Sequence, residues 1–213
     1  MTDSPAAAHQ REQLKNRLID AAERVFLRTG GASATLETVA EEAEVSPSQL
    51  AEFFTDKREL VLAITHRALR VLNRRFENAA SRELLGMDKL ESLGISYVEF
   101  ALESPSYFNA MAQYESRPVP MAESNPFEAA CAHEQDELLE AVAEVINVGI
   151  RDGSIRDDID PLTAAVHVWG QVHGLIQVAA LKGEQLRQRK GIELDGLMVL
   201  FATLMRDALS PKS

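Results

Sequence analysis

The spacing of apolar residues is the feature that most constrains how this chain of 213 residues can fold. Glycine and proline are sparse, at 11 and 8 residues, and between them apolar side chains recur every three or four positions. That period is typical of helices, and no segment alternates in the way that a half-buried strand does. The sequence therefore predicts an all-α fold. The clearest apolar stripe, within segment 10–29, consists of Leu14, Leu18, Ala21, Ala22, Val25 and Phe26.

Capping residues and helix breakers divide the chain into predicted helices. Gly30 and Gly31 end the first helix, Thr35 can cap a short second helix, and Ser46 can cap a third one whose first position is Pro47. Further helices are predicted at 56–81, 88–103, 105–115, 126–152, 161–182 and 193–209. The remaining segments are predicted connections at 116–126 and 151–161 and a disordered tail at 1–9.

Charge and cysteine content limit the class of protein. The net charge of −11 and the pI of about 5.0 argue against a general nucleic-acid coat or a membrane-surface protein, but a small DNA-reading surface stays compatible with them. No apolar run reaches the ~18 residues of a transmembrane helix, and the N-terminus lacks the apolar core of a secretory signal. We therefore expect a cytoplasmic protein with no membrane partner. Cys131 is the only cysteine, which excludes an intramolecular disulfide framework and a thiolate zinc cluster.

No motif in the sequence indicates catalysis or a cofactor. His133 opens the run His-Glu-Gln-Asp-Glu, but no second histidine follows at the spacing of a zinc-binding helix. Phosphate-binding loops, dinucleotide fingerprints and nucleophile elbows do not occur either. We therefore expect no catalytic residue, no metal and no cofactor. A small all-α enzyme is an alternative that no feature of the sequence supports.

The three short helices predicted within residues 10–54 form a recognisable arrangement. A tight turn at Glu44 and Val45 joins the second helix to the third. This is the helix-turn-helix pattern, in which the turn fixes the crossing angle and the last helix enters the major groove of DNA. The polar N-terminus of the helix predicted at 46–54 would then meet the base edges.

The residues of this arrangement resemble the DNA-binding domain of the tetracycline-repressor (TetR) family of bacterial regulators. The resemblance runs without a gap through the forty residues AAERVFLRTGGASATLETVAEEAEVSPSQLAEFFTDKREL. The matching positions are Ala21, Ala22, Phe26, Gly30, Thr35, Val39, Ala40, Ala43, Val45, Ser46, Leu50, Phe54, Lys57 and Leu60.

The second half of the chain resembles the WHG type of TetR C-terminal domain, which is named for a Trp followed by a His-Gly pair. Here these are Trp169, His173 and Gly174, within DPLTAAVHVWGQVHGL, and the segment 96–115 also fits. The resemblance implies an all-helical homodimer that binds a palindromic operator in double-stranded DNA, usually as a repressor that a small-molecule effector releases. Residues 10–56 would read DNA, and residues 57–213 would bind the effector and dimerise.

The predicted DNA contacts lie at the starts of three helices. Gln49 is the best candidate base reader, because its amide can bond adenine N6 and N7. Thr35 and Lys57 are candidate phosphate contacts, because helix N-termini favour anions. The predicted set is Thr35, Ser46, Pro47, Ser48, Gln49 and Lys57. Simple N-capping is the alternative for the residues that open the recognition helix, and a solvated surface position is the alternative for Lys57.

Two further sets of residues are predicted in the C-terminal part. Aromatic residues and a methionine suit an adaptable effector pocket, with His173 as its polar contact, although a plain core and a core histidine are alternatives. The predicted pocket consists of Tyr97, Phe100, Phe108, Met111, Trp169 and His173. A flat glycine strip and an unusually broad apolar last helix suit a dimer interface, with burial in a monomer core as the alternative. The predicted interface consists of Gly170, Gly174, Leu197, Phe201 and Leu204.

Departures from the family pattern weaken the expected contact with DNA. Glu44 and Ser48 stand where glycine is usual, and Ala51 stands where a phosphate-binding tyrosine is usual. Residues 1–60 carry 7 Lys and Arg against 11 Asp and Glu, although phosphate neutralisation supplies much of operator affinity. A TetR-like ligand- or protein-binding module that has lost operator binding is therefore the main alternative to a regulator.

Overall fold

A computed structural model describes residues 4–29, 33–116 and 125–211 of the chain. All regular secondary structure in this part of the chain is α-helical, as predicted. The helices are α1 Pro5–Thr29, α2 Leu36–Glu42, α3 Pro47–Ala51, α4 Lys57–Ala80, α5 Gly86–Glu103, α6 Pro105–Glu115, α7 Pro126–Asp152, α8 Pro161–Lys190 and α9 Leu194–Leu209. None of these helices is long and apolar enough to cross a membrane.

Most predicted helix boundaries agree with the observed ones. Helices α6 and α7 have the predicted bounds, and α4 differs from its prediction by one residue at each end. The third helix is shorter than predicted, because the chain turns after Ala51 while the amide nitrogens of Phe53 and Phe54 still donate to the Leu50 carbonyl at 3.0 Å. Most of the predicted loop at 116–126, together with Gly30 and Gly31, lies outside the described residues.

The structure corrects the sequence prediction at two helix ends. Helix α1 begins at Pro5, so residues 5–9 are helical rather than a disordered tail. Proline suits the first helical position and the alanines that follow have the highest helix propensity, which explains the early start. Helix α8 continues to Lys190, eight residues beyond its predicted end, and Gly191 caps it in the left-handed conformation with φ 65°.

The described residues fall into two compact units, to both of which α4 and α7 contribute. The first unit comprises residues 1–69 and 104–132, and the second comprises residues 70–103 and 133–213. The sequence predicted a different kind of division, in which residues 10–56 read DNA and residues 57–213 bind the effector and dimerise. That functional division stays a prediction.

The first unit is built around the apolar face of α1, against which α2 and α6 pack. Val39 and Leu50 anchor the two short helices in this core, and the ring of Phe54 stacks on that of Phe127 at 5.7 Å. Ionic contacts reinforce the packing. Arg67 on α4 pairs with Asp20 on α1 at 2.5 Å and with Glu23 on the same helix at 2.9 Å.

The second unit contains a very close approach between two helices. A Cβ atom added to Gly86, the first residue of α5, would lie 2.1 Å from the backbone nitrogen of Gly149 on α7. Only glycine fits at such a crossing. The amide of Gly86 also donates to Asp152 Oδ2 at 2.7 Å, and that of Met87 donates to Ser154 Oγ at 3.1 Å. These contacts fix the start of α5, which carries several of the candidate site residues.

Candidate functional site

Both short helices of the first unit begin with a reciprocal capping box. The Thr35 hydroxyl accepts from the Thr38 amide at 3.2 Å, and the Thr38 hydroxyl accepts from the Thr35 amide at 3.0 Å. In the same way Ser46 Oγ accepts from the Gln49 amide at 3.2 Å, and Gln49 Oε1 accepts from the Ser46 amide at 3.0 Å. The predicted capping roles of Thr35 and Ser46, and Pro47 at the first helical position, are confirmed.

Helix α3 presents its polar residues to solvent. Leu50 is buried in the core of the first unit, whereas Ser46, Pro47, Ser48 and Gln49 are exposed. The capping box occupies the Gln49 side-chain oxygen, because only the oxygen can accept from the Ser46 amide. Gln49 Oε1 also accepts from Ser46 Oγ at 3.2 Å, so both of its lone pairs are used. A base edge could therefore accept a hydrogen bond from Gln49 Nε2, whereas the paired donor and acceptor of adenine would require the cap to open.

The turn between α2 and α3 has left-handed backbone at Glu44, with φ 56°. That conformation favours glycine, and the cost for a residue with a Cβ is roughly 1–2 kcal/mol. The amide of Val45, the next residue, donates to the Ala40 carbonyl at 3.0 Å, so the turn is closed despite the strain. The departure from the family pattern at this position is therefore a conformational one as well as a change of charge.

Much of the positive charge near this motif holds the protein together. Arg24 and Arg28 on α1 pair with Glu42 on α2 at 2.7 and 3.1 Å, and their hydrogen bonds lower the pKa of that carboxyl. Arg17 donates to the Ala43 carbonyl at 3.1 Å, and Arg58 pairs with Glu128. These arginines fix the position of the motif.

The other cations of the motif lie over aromatic rings. The Arg11 guanidinium is 5.3 Å from the centroid of Phe53, and Lys15 Nζ is 5.0 Å from that of Phe127. Lys57, a predicted phosphate contact, is partly buried, with Nζ 5.9 Å from the centroid of Phe26. Such contacts orient the cation against the face of the ring.

The second unit brings together four of the six predicted pocket residues. Tyr97 and Phe100 on α5 stack with ring centroids 6.4 Å apart, and on α8 the Trp169 ring lies 5.6 Å from that of His173. The Tyr97 hydroxyl and His173 Nδ1 share a hydrogen bond of 2.6 Å that joins the two helices. Phe108 and Met111, the other two predicted residues, are buried in the first unit.

His173 is a neutral buried histidine. It is 7% exposed, and burial lowers the pKa of its ring. His173 Nε2 lies 2.7 Å from Gln177 Nε2 and His173 Nδ1 lies 2.6 Å from the Tyr97 oxygen, so both ring nitrogens have a hydrogen-bond partner. This hydrogen-bonded core position is the alternative that the sequence left open for His173.

An apolar cavity of about 210 Å³ lies in the second unit between α5, α8 and α9. Sequence reasoning missed it, because its residues have the same helical spacing as core residues and only the separation of the helices opens the space. Phe201, predicted at a dimer interface, is part of its wall. The cavity is lined by Leu90, Glu91, Gly94, Ile95, Val98, Glu99, Val168, Val172, Met198, Phe201, Ala202 and Met205.

Helices α8 and α9 also carry apolar residues on the surface of the second unit. Leu204 is 58% exposed, Gly170 is exposed, and Gly174, Leu197 and Phe201 are partly exposed. Further exposed apolar side chains on these helices are Leu162, Val166, Val178, Leu181, Val199 and Leu200. A monomer core therefore does not bury this face, which contradicts the alternative stated for the last helix.

The described residues contain no cluster of three or more His, Cys, Asp or Glu side chains that could hold a metal ion. Cys131 is buried, and its thiol donates to the Leu62 carbonyl at 3.3 Å.

Solved structures with the same fold share little sequence with this chain. A protein of unknown function from Rhodococcus sp. RHA1 has a TM-score of 0.73 at 20% identity, over 92% of this chain and 95% of that one. The regulator FadR from Bacillus subtilis, solved in complex with stearoyl-CoA, has a TM-score of 0.71 at 15% identity, over 92% and 99%. The TetR-family regulator PfmR from Thermus thermophilus has a TM-score of 0.66 at 17% identity, over 90% and 97%. No curated protein matches the sequence.

Family comparisons agree with the geometry of both units. Residues 18–64, which include the capped helices α2 and α3, match the family described as "Bacterial regulatory proteins, tetR family". Residues 90–191, which include the Tyr97–His173 contact, match "Tetracyclin repressor-like, C-terminal domain". The two matches together span more than two thirds of the chain, which therefore belongs to the TetR family of transcriptional regulators.

Proposed function

We propose that this protein is a homodimeric repressor that binds a palindromic operator and leaves it when a small-molecule effector binds. The observation that carries the DNA-binding part is the exposed, capped N-terminus of α3, where Ser46, Ser48 and Gln49 face solvent. Two copies of α3 related by a two-fold axis would reach successive major grooves, so the operator should be an inverted repeat.

Selection of bound DNA from a random pool, with the full-length protein at physiological salt, tests this function. We expect an inverted repeat that the protein binds with nanomolar affinity. If neither the untreated nor the effector-treated protein enriches any sequence, the chain is a ligand- or protein-binding module without an operator. Exposed Glu41, Glu44 and Glu52 beside α3, and alanine at position 51, are the observations that favour that second candidate.

Phosphate contact by Lys57 is a separate part of the proposal. Its position at the start of α4 suits an anion, and replacement of Lys57 by alanine should weaken binding to all DNA sequences by the same factor. The slope of log affinity against log salt should fall by about one. Lys182→Ala, which removes an exposed lysine of α8, is the matched control and should leave the slope unchanged.

Dimerisation is proposed through the exposed apolar face of α8 and α9. A face that combines Leu181, Leu200 and Leu204 with the Gly170 and Gly174 strip suits a four-helix bundle formed with a second copy. Two-fold symmetry is also what a palindromic operator requires.

Effector recognition is proposed at the aromatic cluster around His173, which consists of Tyr97, Phe100, Trp169 and His173. Trp169→Ala and His173→Ala should reduce the release of operator DNA by a compound identified in a thermal-shift screen. Operator affinity without the compound should change by less than about tenfold, or ~1.4 kcal/mol, because neither residue belongs to the DNA-reading unit. Tyr97→Phe keeps the ring but removes the hydroxyl, so it separates the polar contact from the packing. A bound compound located away from all three residues would refute this site.

A further inference from the structure

The cavity between α5, α8 and α9 has the size of a small-molecule site. Its volume is about 210 Å³, whereas a dry protein cavity of roughly 150 Å³ accepts benzene and drug-sized ligands need about 300 Å³ or more. Leu90, Val98 and Val172 are among its walls, and Met198 and Met205 contribute adaptable thioether side chains. Aliphatic and aromatic residues thus form most of the surface that an occupant would meet.

Gly94 lines this cavity, and no neighbouring atom requires a glycine at its position. It lies in the middle of α5, where glycine costs about 1 kcal/mol relative to alanine, and an added Cβ would have no atom within 4 Å among the described residues. Gly86 is different, since a Cβ there would collide with the backbone of Gly149. The missing side chain at position 94 therefore leaves open a space that the chain does not fill by itself.

Charges at the rim of the cavity select against anions. Arg206 donates to both carboxylate oxygens of Glu91 at 2.6 Å and to Asp88 Oδ1 at 2.7 Å, so its charge is already matched by two carboxylates. Glu99, at the exposed edge of the lining, adds a further negative charge. A bound carboxylate or phosphate would be repelled by this net negative charge. An uncharged apolar molecule would gain the free energy of burying its surface and would not be repelled.

We propose that this cavity is a binding site for a small, uncharged, apolar molecule of about the size of naphthalene. The site is distinct from the aromatic cluster around His173, none of whose members lines it. Binding at this cavity does not depend on the proposed repressor function.

Naphthalene and 2-naphthoate are a matched pair of probes for this site, since they differ by one carboxylate. Calorimetric titration of the dimeric protein should show naphthalene binding, with 2-naphthoate at least tenfold weaker. Gly94→Leu, which places a side chain in the cavity, should weaken naphthalene at least tenfold. Gly183→Leu adds the same side chain at a helical glycine outside the lining and should leave the affinity unchanged.

Three further measurements make the outcome decisive. Ala202→Leu narrows the cavity from α9 and should also weaken naphthalene, which keeps the test valid if Gly94→Leu fails to fold. Glu99→Gln removes a negative charge, so it should bring the affinity for 2-naphthoate closer to the affinity for naphthalene. The proposal would be overturned if the wild type, Gly94→Leu and Ala202→Leu bound naphthalene with equal affinity. It would also be overturned if naphthalene bound to the monomeric protein but not to the dimer. Operator affinity of the wild type is measured in parallel. If the wild type binds naphthalene but selects no operator, the repressor proposal is refuted and the proposal of a cavity site is not.

Discussion

The two compact units form their candidate sites in different ways. In the first unit, hydrogen bonds between residues three apart in sequence shape the proposed DNA-reading surface, as in the Ser46–Gln49 capping box. In the second unit, the sites depend on residues far apart in sequence, such as Tyr97 and His173, and on apolar surface that the chain leaves uncovered. Local polar bonds can be inferred from a motif, whereas a cavity or an interface exists only once helices have packed.

The largest effect should come from charging the uncovered face of the second unit. Leu204→Glu should convert a dimer into a monomer, because it places a carboxylate in the proposed bundle. Operator affinity should then fall by roughly 10²- to 10⁴-fold through loss of the second half-site. Light scattering measures the mass, and Leu27→Glu, at a leucine of α1 that is 62% exposed, is the control that should stay dimeric. An unchanged dimer of Leu204→Glu would remove α9 from the interface.

A partly buried carboxyl in the first unit should make stability depend on pH. Burial raises the pKa of Glu115 from 4.5 to about 7, so the folded protein holds this proton more tightly than the unfolded chain does. Its stabilising contribution is complete below pH 4.5 and is lost as the pH rises through about 7. Glu115→Gln should remove that loss, worth at most about 3 kcal/mol of unfolding free energy at pH 8. Urea titrations at pH 5 and pH 8 measure the difference, and an equal change at both values would contradict the assignment.

Gln49 tests whether a capping side chain can also read a base. Gln49→Ala removes both the cap and the amide donor, and should cost about 1–3 kcal/mol of operator binding. Gln49→Glu keeps an oxygen on the Ser46 amide but has no donor, so helix content should survive while recognition is lost. Because the cap leaves Nε2 as the donor, the selected operator should have an acceptor edge such as guanine O6 and N7 at this position. Consistent selection of adenine would mean that the cap opens on DNA.

The smallest effects concern the strained turn at Glu44. Glu44→Gly should stabilise the protein by about 1 kcal/mol, because glycine adopts a positive φ without strain. Glu44→Gln keeps the strain and removes the charge, so it should leave stability unchanged and strengthen nonspecific DNA binding. Thermal unfolding and binding to a random duplex separate the two contributions. Equal stability of both variants would show that φ at this position carries no cost.

The sequence predicted the fold class and most of the helices because helical spacing and capping residues act locally. Thr35 and Ser46 show this, since their hydroxyls cap the helices that they precede. The pocket prediction was less complete, because Phe100 and Phe108 have similar sequence surroundings but belong to different compact units. No short-range pattern marks Gly94 as part of a cavity, since the space depends on how far apart α5 and α9 lie. The sites themselves stay predictions.

The arginine pairs of α1 affect how the protein would distinguish its operator from the rest of a genome. Arg24 and Arg28 share the single carboxylate of Glu42 on α2, so one of their two positive charges is already neutralised and the pair would release fewer counterions from DNA. Nonspecific binding depends almost entirely on such release, whereas base contacts by α3 do not. A genome offers roughly 10⁶–10⁹ competing sites, and each cation that a carboxylate of the same protein neutralises reduces the time spent on them. If the proposed operator exists, weak nonspecific binding would raise the ratio of specific to nonspecific binding, so that a few copies of the protein would suffice to find it.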